Sequence, residues 1–596
     1  MIAHIPSILR RLFSFLSVPP ADPKDKPDDL VYGTNDLPPL GVLVISVLQH
    51  TMLILMLAIY AVITAQELGL NVQNTIQYTA TCVFCFGLHS VLQGVRSRFT
   101  PGIMCIGMPS PVPLVTLVII ATTWGPGAAV GAIIVSTVVI FALAPFLPRM
   151  RGYFPPEVVG VAVLMIGITI IPLGVERSLA LSEDSNLSLS ALTASSLTLF
   201  GILGAAIWGS ERVRVCALFL GVGLGTLAVV AFGAFDTDGL VFLNDMPLVA
   251  VPLPSPFFAM PVFIPAAILA YLVIELVHTM DQIASAMTLD KLTDGKWVRA
   301  DIPTASRSAS ALAIANCING AMGVVTGASS TANIGLGHAS GVLSRFVAIG
   351  TGFCMMALAF VPAVALLIIM TPLPVIGGIL LYTATFMIVA GMELILSRMM
   401  NAKRSFTVGF SIVVGMTVLL LPALSKNLPE WSQAIAGSAL SAALVTAIAL
   451  NAVLRIGVAR SITIDLGAPQ DRARESAEML EHWGAEWGAR REVVIRAGIA
   501  VGEALELLDQ SGLIDGPPRL TARFDEVNLH CTLTYPGRPP QLEVEAIDID
   551  ALLEADESQF ETGLNNVSAT LIRRLADRVN VGQKADSARL FLEFNH

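Results

Sequence analysis

The chain has 596 residues, 54% of them hydrophobic and 13% charged, with a formal net charge of −10; its mean hydropathy is +0.74. Soluble globular domains carry roughly 25% charged residues, so the composition excludes an ordinary soluble enzyme and indicates an all-α polytopic membrane protein. Seven cysteines lie at 82, 85, 105, 216, 317, 354 and 531. No His or Cys cluster accompanies the close pair Cys82 and Cys85, so these read as helix-packing residues, and no metal site is expected.

Residues 1–39 are expected to be a cytoplasmic N-terminal segment, with residues 5–17 a short amphipathic surface helix. Arg10 and Arg11 interrupt its apolar residues and Pro19-Pro20 follow, which argues against a cleavable signal. A transmembrane domain is expected over 40–458. Fourteen apolar stretches of about twenty residues fall near 40–65, 74–95, 101–123, 126–147, 155–174, 189–208, 213–234, 257–287, 305–324, 327–342, 344–371, 374–396, 404–424 and 432–456. With a cytoplasmic N-terminus, the inside loops hold Arg96, Arg98, Arg149, Arg151, Arg212, Arg214, Lys291, Lys296, Arg299, Arg307, Arg345, Arg398, Lys403 and Arg404. The outside loops hold Glu183, Asp184, Asp236, Asp238 and Asp245. That positive-inside pattern puts both termini in the cytoplasm of a multi-pass cell (inner) membrane protein and favours an even span count, fourteen first with twelve as the alternative.

Two spans are interrupted. The third begins with Pro101, Pro109, Pro111 and Pro113, and the tenth reads TGASSTANIGLGHASG. Proline removes backbone donors, and Gly and Ser hold a helix weakly. Broken spans at matching places in two halves point to a transporter site, where half-helix N-termini aim their dipoles at a substrate. The run Phe257 to Met287 carries Glu275, His278 and Asp281. Ionisable groups at bilayer depth are costly and mark ion or substrate pathways, although a patch that only joins helices is the plainer alternative. On a helix Glu275 and Thr279 share a face, with His278 three residues along.

Gln49-His50, YFPPEVVGVAVLMIGITIIPLGV at 153–175, Glu275, Ala332-Asn333-Ile334-Gly335 running to Ser344-Arg345, and PLPVIGG at 372–378 together resemble the nucleobase–cation symporter, or nucleobase–ascorbate transporter, family (xanthine–uracil permeases). The resemblance runs from residue 40 to about 456. It implies fourteen spans in two inverted repeats of seven, a core domain (spans 1–4 and 8–11) moving against a gate domain (5–7 and 12–14), and a homodimer. It further implies ion-coupled uptake of a xanthine-, urate- or uracil-like base. Glu275 matches the family's base-binding carboxylate, which can accept two adjacent ring N–H groups at once. Asn333 matches the amide of the tenth-span motif, and Gln49 and His50 match the first-span pair.

The departures weaken the choice of substrate. Ala332 stands where the family carries Gln or Glu, and Thr279 where it usually carries Asp or His. Beside Glu275, Asn333, Ala332, Gly335 and Thr279 as substrate-site residues, the chain offers His278, Asp281 and His338 for coupling or support. A His titrates near neutral pH, so protons are preferred over sodium as the coupling ion.

Residues 461–596 hold 24 acidic and 13 basic residues, a net of −11, and read as a cytoplasmic α/β domain. Helices are expected at 469–489, 493–511 and 563–580, and strands at 519–525, 528–535, 541–547 and ARLFLEF. Val501-Gly502-Glu503-Ala504, Tyr535-Pro536-Gly537-Arg538-Pro539 and GLNNVSATLIRRLADRV at 563–579 faintly resemble the Bergerat-type fold of histidine kinases and anti-sigma kinases. Leu507 stands where that family holds Mg²⁺ with Asn, and Tyr535 where Asp reads adenine. The resemblance therefore implies a degenerate module, suited to regulation or to a cytoplasmic protein partner. No nucleophile or metal constellation suggests an enzyme, and neither a cofactor nor nucleic acid is expected. Two functions stay open: a secondary transporter of a nucleobase or other small anion, and a membrane sensor signalling through the tail.

Overall fold

The computed structural model describes residues 25–28, 30–146, 155–180, 188–210, 213–214, 216–235, 246–297, 301–396, 400, 402–421, 423, 429, 438–454, 460–525, 528–540, 567–584 and 587–595. The expected surface helix at 5–17, the strand at 541–547, Arg149, Arg151, Arg212, Arg299, Arg398 and the five outside-loop acids fall outside them.

Each of the fourteen apolar stretches contains a helix. They are α1 (Leu40–Leu57), α2 (Ile59–Glu67), α3 (Val72–Gly94), α4 (Leu114–Trp124), α5 (Pro126–Leu143), α6 (Pro156–Leu179), α7 (Leu189–Trp208), α8 (Ala217–Ala231), α9 (Pro265–Leu292), α10 (Ile302–Ala321), α11 (Thr331–Ala339), α12 (Arg345–Ala359), α13 (Pro362–Ile369), α14 (Leu373–Leu396), α15 (Ala402–Leu420) and α16 (Ala439–Leu454). Among the described residues eight helices are long and apolar enough to cross a membrane, or nine if the bent pair α12 and α13 is one span. The sequence marks where they start. Asn71, Ser188, Asp301, Ser330 and Ser344 cap α3, α7, α10, α11 and α12 through their side chains, and proline occupies the first turn of α5, α9, α10 and α13.

Two expected spans differ. The eighth starts at Pro265, not Phe257, because Pro261 and Pro265 deny the preceding residues helical partners. The eleventh is not continuous: α12 and α13 meet at 90°, with Pro362 opening the second piece.

The chain forms two compact units, one of residues 1–150, 156–395 and 405–449, the other of 151–155, 396–404 and 450–596. In the first, α3 packs along α12, α7 along α8, and α9 and α10 both against α5. The α3–α12 approach is close enough that a Cβ on Gly87 would meet the Gly352 carbonyl at 2.7 Å, as small residues allow between helices in lipid. A cavity of about 540 Å³ is lined by Gln66, Ser188, Thr371 and apolar neighbours; none of the sequence-marked site residues lines it.

The first unit also holds two three-residue strands, β1 (Gly107–Pro109) and β2 (Gly327–Ser329). The second unit contains a five-stranded antiparallel sheet of order β3-β4-β5-β7-β6, from β3 (Arg460–Asp465), β4 (Arg519–Phe524), β5 (Asn528–Pro536), β6 (Arg578–Lys584) and β7 (Ser587–Asn595). Helices α17 (Arg472–Trp487) and α18 (Arg491–Gln510) pack on each other. Alternation buries Leu520, Ala522 and Phe524, then Leu529, Cys531 and Leu533, then Leu590, Leu592 and Phe594. Burial pushes the Cys531 thiol up to about 12 and keeps it protonated. Helical structure in the expected 563–580 stretch ends at residue 575, and β6 begins at Arg578; β3 and β6 are strands the sequence pattern did not mark. Leu507 and Tyr535 are both buried.

Candidate functional site

The two interrupted spans meet. The tripeptides Gly107–Pro109 and Gly327–Ser329 form a two-stranded antiparallel ladder, pairing Gly107 with Ser329 and Pro109 with Gly327. The first strand leads through Ser110-Pro111-Val112-Pro113 into α4; the second leads through Ser330 into α11. Backbone at membrane depth needs partners from the protein, and the flanking helices supply them. Ser90 on α3 accepts from the Gly107 amide at 3.0 Å, and the Tyr78 hydroxyl, also on α3, accepts from Val325 at 3.0 Å. Tyr271 on α9 bonds Thr326 at 2.9 Å. Asn316 on α10 clasps Gly327 twice, donating to its carbonyl at 3.0 Å and accepting from its amide at 3.1 Å.

Glu275, on α9, is fully buried. Its Oε2 accepts from Asn316 Nδ2 at 3.0 Å. Its Oε1 stands 3.5 Å from His278 Nδ1 and takes no hydrogen bond. His278 is buried with neither ring nitrogen bonded. Asn333, also fully buried, holds its Oδ1 2.5 Å from His50 Nδ1. With that oxygen occupied, Asn333 Nδ2 is left as a buried donor without an acceptor. A second polar chain runs through α3, α10 and α9. His89 contacts Gln93 at 3.3 Å, Ser308 donates to Gln93 at 2.9 Å, Gln282 donates to Ser308 at 2.7 Å, and Ser329 donates to Gln282 at 2.6 Å.

The structure thus brings Glu275 and His278 together on α9, and joins His50 to Asn333. Thr279 spends its hydroxyl on the Glu275 carbonyl at 2.6 Å. Asp281 is half-buried in the field of His278. Ala332 and Gly335 are exposed on α11, on a different face from buried Asn333; Gln49 is exposed and His338 half-buried at the end of α11. Sequence reasoning missed Asn316, Asn319, Gln282, Ser308, Gln93 and His89, although Asn316 and Asn319, three apart in an apolar helix, are the kind of buried amides that mark a site. Among the described residues no group of three His, Cys, Asp or Glu side chains could hold a metal ion.

Residues 41–424 match the model of the Permease family (Xan_ur_permease). The chain belongs to this family. It is therefore a multi-pass membrane transport protein and not an enzyme. The permease is 26% identical over 71% of its length to the nucleobase transporter PlUacP of Paenibacillus larvae, covering 96% of that protein. It is 27% identical over 68% of its length to the uric acid permease PucK of Bacillus subtilis, covering 94% of it. Among solved structures, the transmembrane domain of the cyanobacterial bicarbonate transporter BicA aligns with a TM-score of 0.47 and 16% identity, over 68% of this chain and 99% of that one.

Proposed function

We propose that this permease takes up a purine or pyrimidine nucleobase, xanthine-, urate- or uracil-like, by proton-coupled secondary transport. The observation that carries the reading is a pair of buried, half-satisfied polar groups beside a crossed pair of broken spans. Glu275 Oε1 is an acceptor without a donor, and Asn333 Nδ2 a donor without an acceptor. A buried polar atom left unpaired costs about 1–3 kcal/mol, and a base carrying ring N–H and C=O groups satisfies both kinds. The first turns of α4 and α11 add the positive ends of two helix dipoles.

Both groups are enclosed in this conformation, so access requires parts of the molecule to separate. An elevator-type movement of spans 1–4 and 8–11 against spans 5–7 and 12–14 does this in a fourteen-span fold of two inverted repeats. Arg177 on α6, which bonds Gln66 and Glu67 at the end of α2 at 2.7 and 2.8 Å, ties those two sets. Glu275 with His278 is the natural proton carrier, with Asp281 in support. The working form in this reading is a homodimer in the cell (inner) membrane with cytoplasmic termini, and residues 461–596 regulate it.

The test is uptake of radiolabelled xanthine, urate, hypoxanthine, uracil and ascorbate by cells expressing the wild type or Glu275→Gln. We expect acid-stimulated uptake of at least one base, lost in the variant. Wild-type protein that reaches the membrane yet moves none of them would overturn the nucleobase assignment in favour of another small anion or of ligand sensing.

A further inference from the structure

Glu275 is held unevenly, and the residue responsible belongs to no sequence motif described above. Asn316 uses every polar atom it has inside the protein. Its Nδ2 donates to Glu275 Oε2 and to the Gly327 carbonyl, both at 3.0 Å, and its Oδ1 accepts from the Gly327 amide at 3.1 Å and from Asn319 Nδ2 at 3.2 Å. Asn319 Nδ2 in turn reaches the Val325 carbonyl at 3.4 Å. One side chain thus bolts a carboxylate oxygen on α9 to the strand Gly327–Ser329.

We infer that Asn316 is a specificity-setting positioning residue: it commits Oε2 of Glu275 to the protein and leaves Oε1 as the single carboxylate oxygen that meets the substrate. The inference rests on the nucleobase reading and narrows it. An unrestrained carboxylate can turn both oxygens to two adjacent N–H groups; with Oε2 turned toward Asn316, Oε1 alone is left to meet one ring N–H. Position 332, where the family carries Gln or Glu, is alanine and supplies no second acceptor. The remaining group, Asn333 Nδ2, is a donor and requires an acceptor on the ligand. The substrate class that fits presents one ring N–H to Glu275 and a carbonyl to Asn333, as oxidised purines and pyrimidines do and adenine-type bases with an exocyclic amine in place of the carbonyl do not.

The experiment measures uptake kinetics of the full chain for xanthine and for xanthines methylated singly at each ring nitrogen, in wild type, Asn316→Ala and Asn316→Asp, with surface expression measured for each. Asn316→Asp keeps the acceptor for the Gly327 amide but removes both Nδ2 donations, to Glu275 and to the Gly327 carbonyl, so surface expression and Vmax read its folding cost and the KM ratio reads its effect on positioning. In the wild type a single methylation position should abolish recognition. Both variants should raise KM for xanthine about tenfold or more, the loss of one hydrogen bond to a charged group, with Vmax per surface molecule changed less than threefold (about 0.7 kcal/mol). They should also lower the KM ratio between the blocked analogue and xanthine, because the released carboxylate can turn. A purely structural role would lower surface expression or Vmax and leave that ratio untouched, and this outcome overturns the inference. Wild-type protein that transports no base fails at the first step and refutes the nucleobase reading instead. Adenine transported as well as xanthine by the wild type refutes the narrowed substrate class alone.

Discussion

The two broken spans start alike and end differently. Each enters as three residues of strand and leaves as a short helix, of 11 residues in α4 and 9 in α11. The first has no side-chain cap, since Pro113 precedes it, and its following turns are wholly apolar apart from three threonines and a tryptophan, Leu114–Trp124 reading LVTLVIIATTW. The second is capped by Ser330, carries Asn333 in its first turn, and is gripped at its far end as well. Val31 and Tyr32 donate to the Gly341 carbonyl, Leu343 donates to Tyr32, Arg345 donates to Thr34, and Ser344 donates to Asp36, all within 3.0 Å. In the proposed reading one half-span acts as a wall and the other as a recognition element, and an amide that must aim one nitrogen into a site needs its helix fixed at both ends.

The largest test of that contrast strikes the ladder itself. A Cβ on Gly327 would lie 2.0 Å from the Met108 carbonyl and 2.3 Å from the Phe86 ring, against backbone that cannot give. Gly327→Ala should therefore part the strands, break the Asn316 clasp and cost several kcal/mol, seen as loss of monodisperse protein in detergent. Gly107→Ala meets the His89 ring at 2.5 Å. A side chain can shift where a carbonyl cannot, so this variant should be folded but destabilised by about 1–3 kcal/mol, with thermal unfolding of the purified protein as the measure. Equal damage from both would mean that the two strands are interchangeable supports.

Next in size is the cap. Ser330→Ala removes the acceptor for the Asn333 amide, which should loosen α11 by about 1 kcal/mol. Uptake should fall through KM more than through Vmax, since the change displaces the Asn333 side chain without touching Glu275.

Much of this was legible in advance, for reasons that differ by residue. Glu275 stands out because a carboxylate within an apolar run is anomalous wherever it falls. The two interruptions stand out because Pro and Gly cannot sustain a span. That they pair as strands was not legible, since three residues give no alternation to read. Asn316 was hidden by composition: Ala-Asn-Cys-Ile-Asn-Gly passes for a tolerable helix, and its role depends on where Gly327 sits eleven residues later. Thr279 shared a face with Glu275 as the helical spacing required, yet its hydroxyl turns back to its own backbone, a choice that spacing does not decide. In the tail, β6 was lost because Arg578–Lys584 mixes polar and apolar residues without a clean period.

The smallest expected effect concerns the grip on the far end of α11. Val31→Pro removes the amide that donates to Gly341 at 2.9 Å while leaving the Tyr32 carbonyl in place for Leu343. The loss of one backbone bond at an exposed edge is worth about 1 kcal/mol, too little to unfold the protein. It should nonetheless raise amide hydrogen exchange at Leu343 and Arg345, whose N–H groups rest on this strap, and leave exchange in α4 unchanged. Exchange that rises equally in both half-spans would show that the strap steadies the crossed pair as a whole. Exchange confined to 343–345 would show that α11 alone depends on it, which is the asymmetry the polar half-span requires.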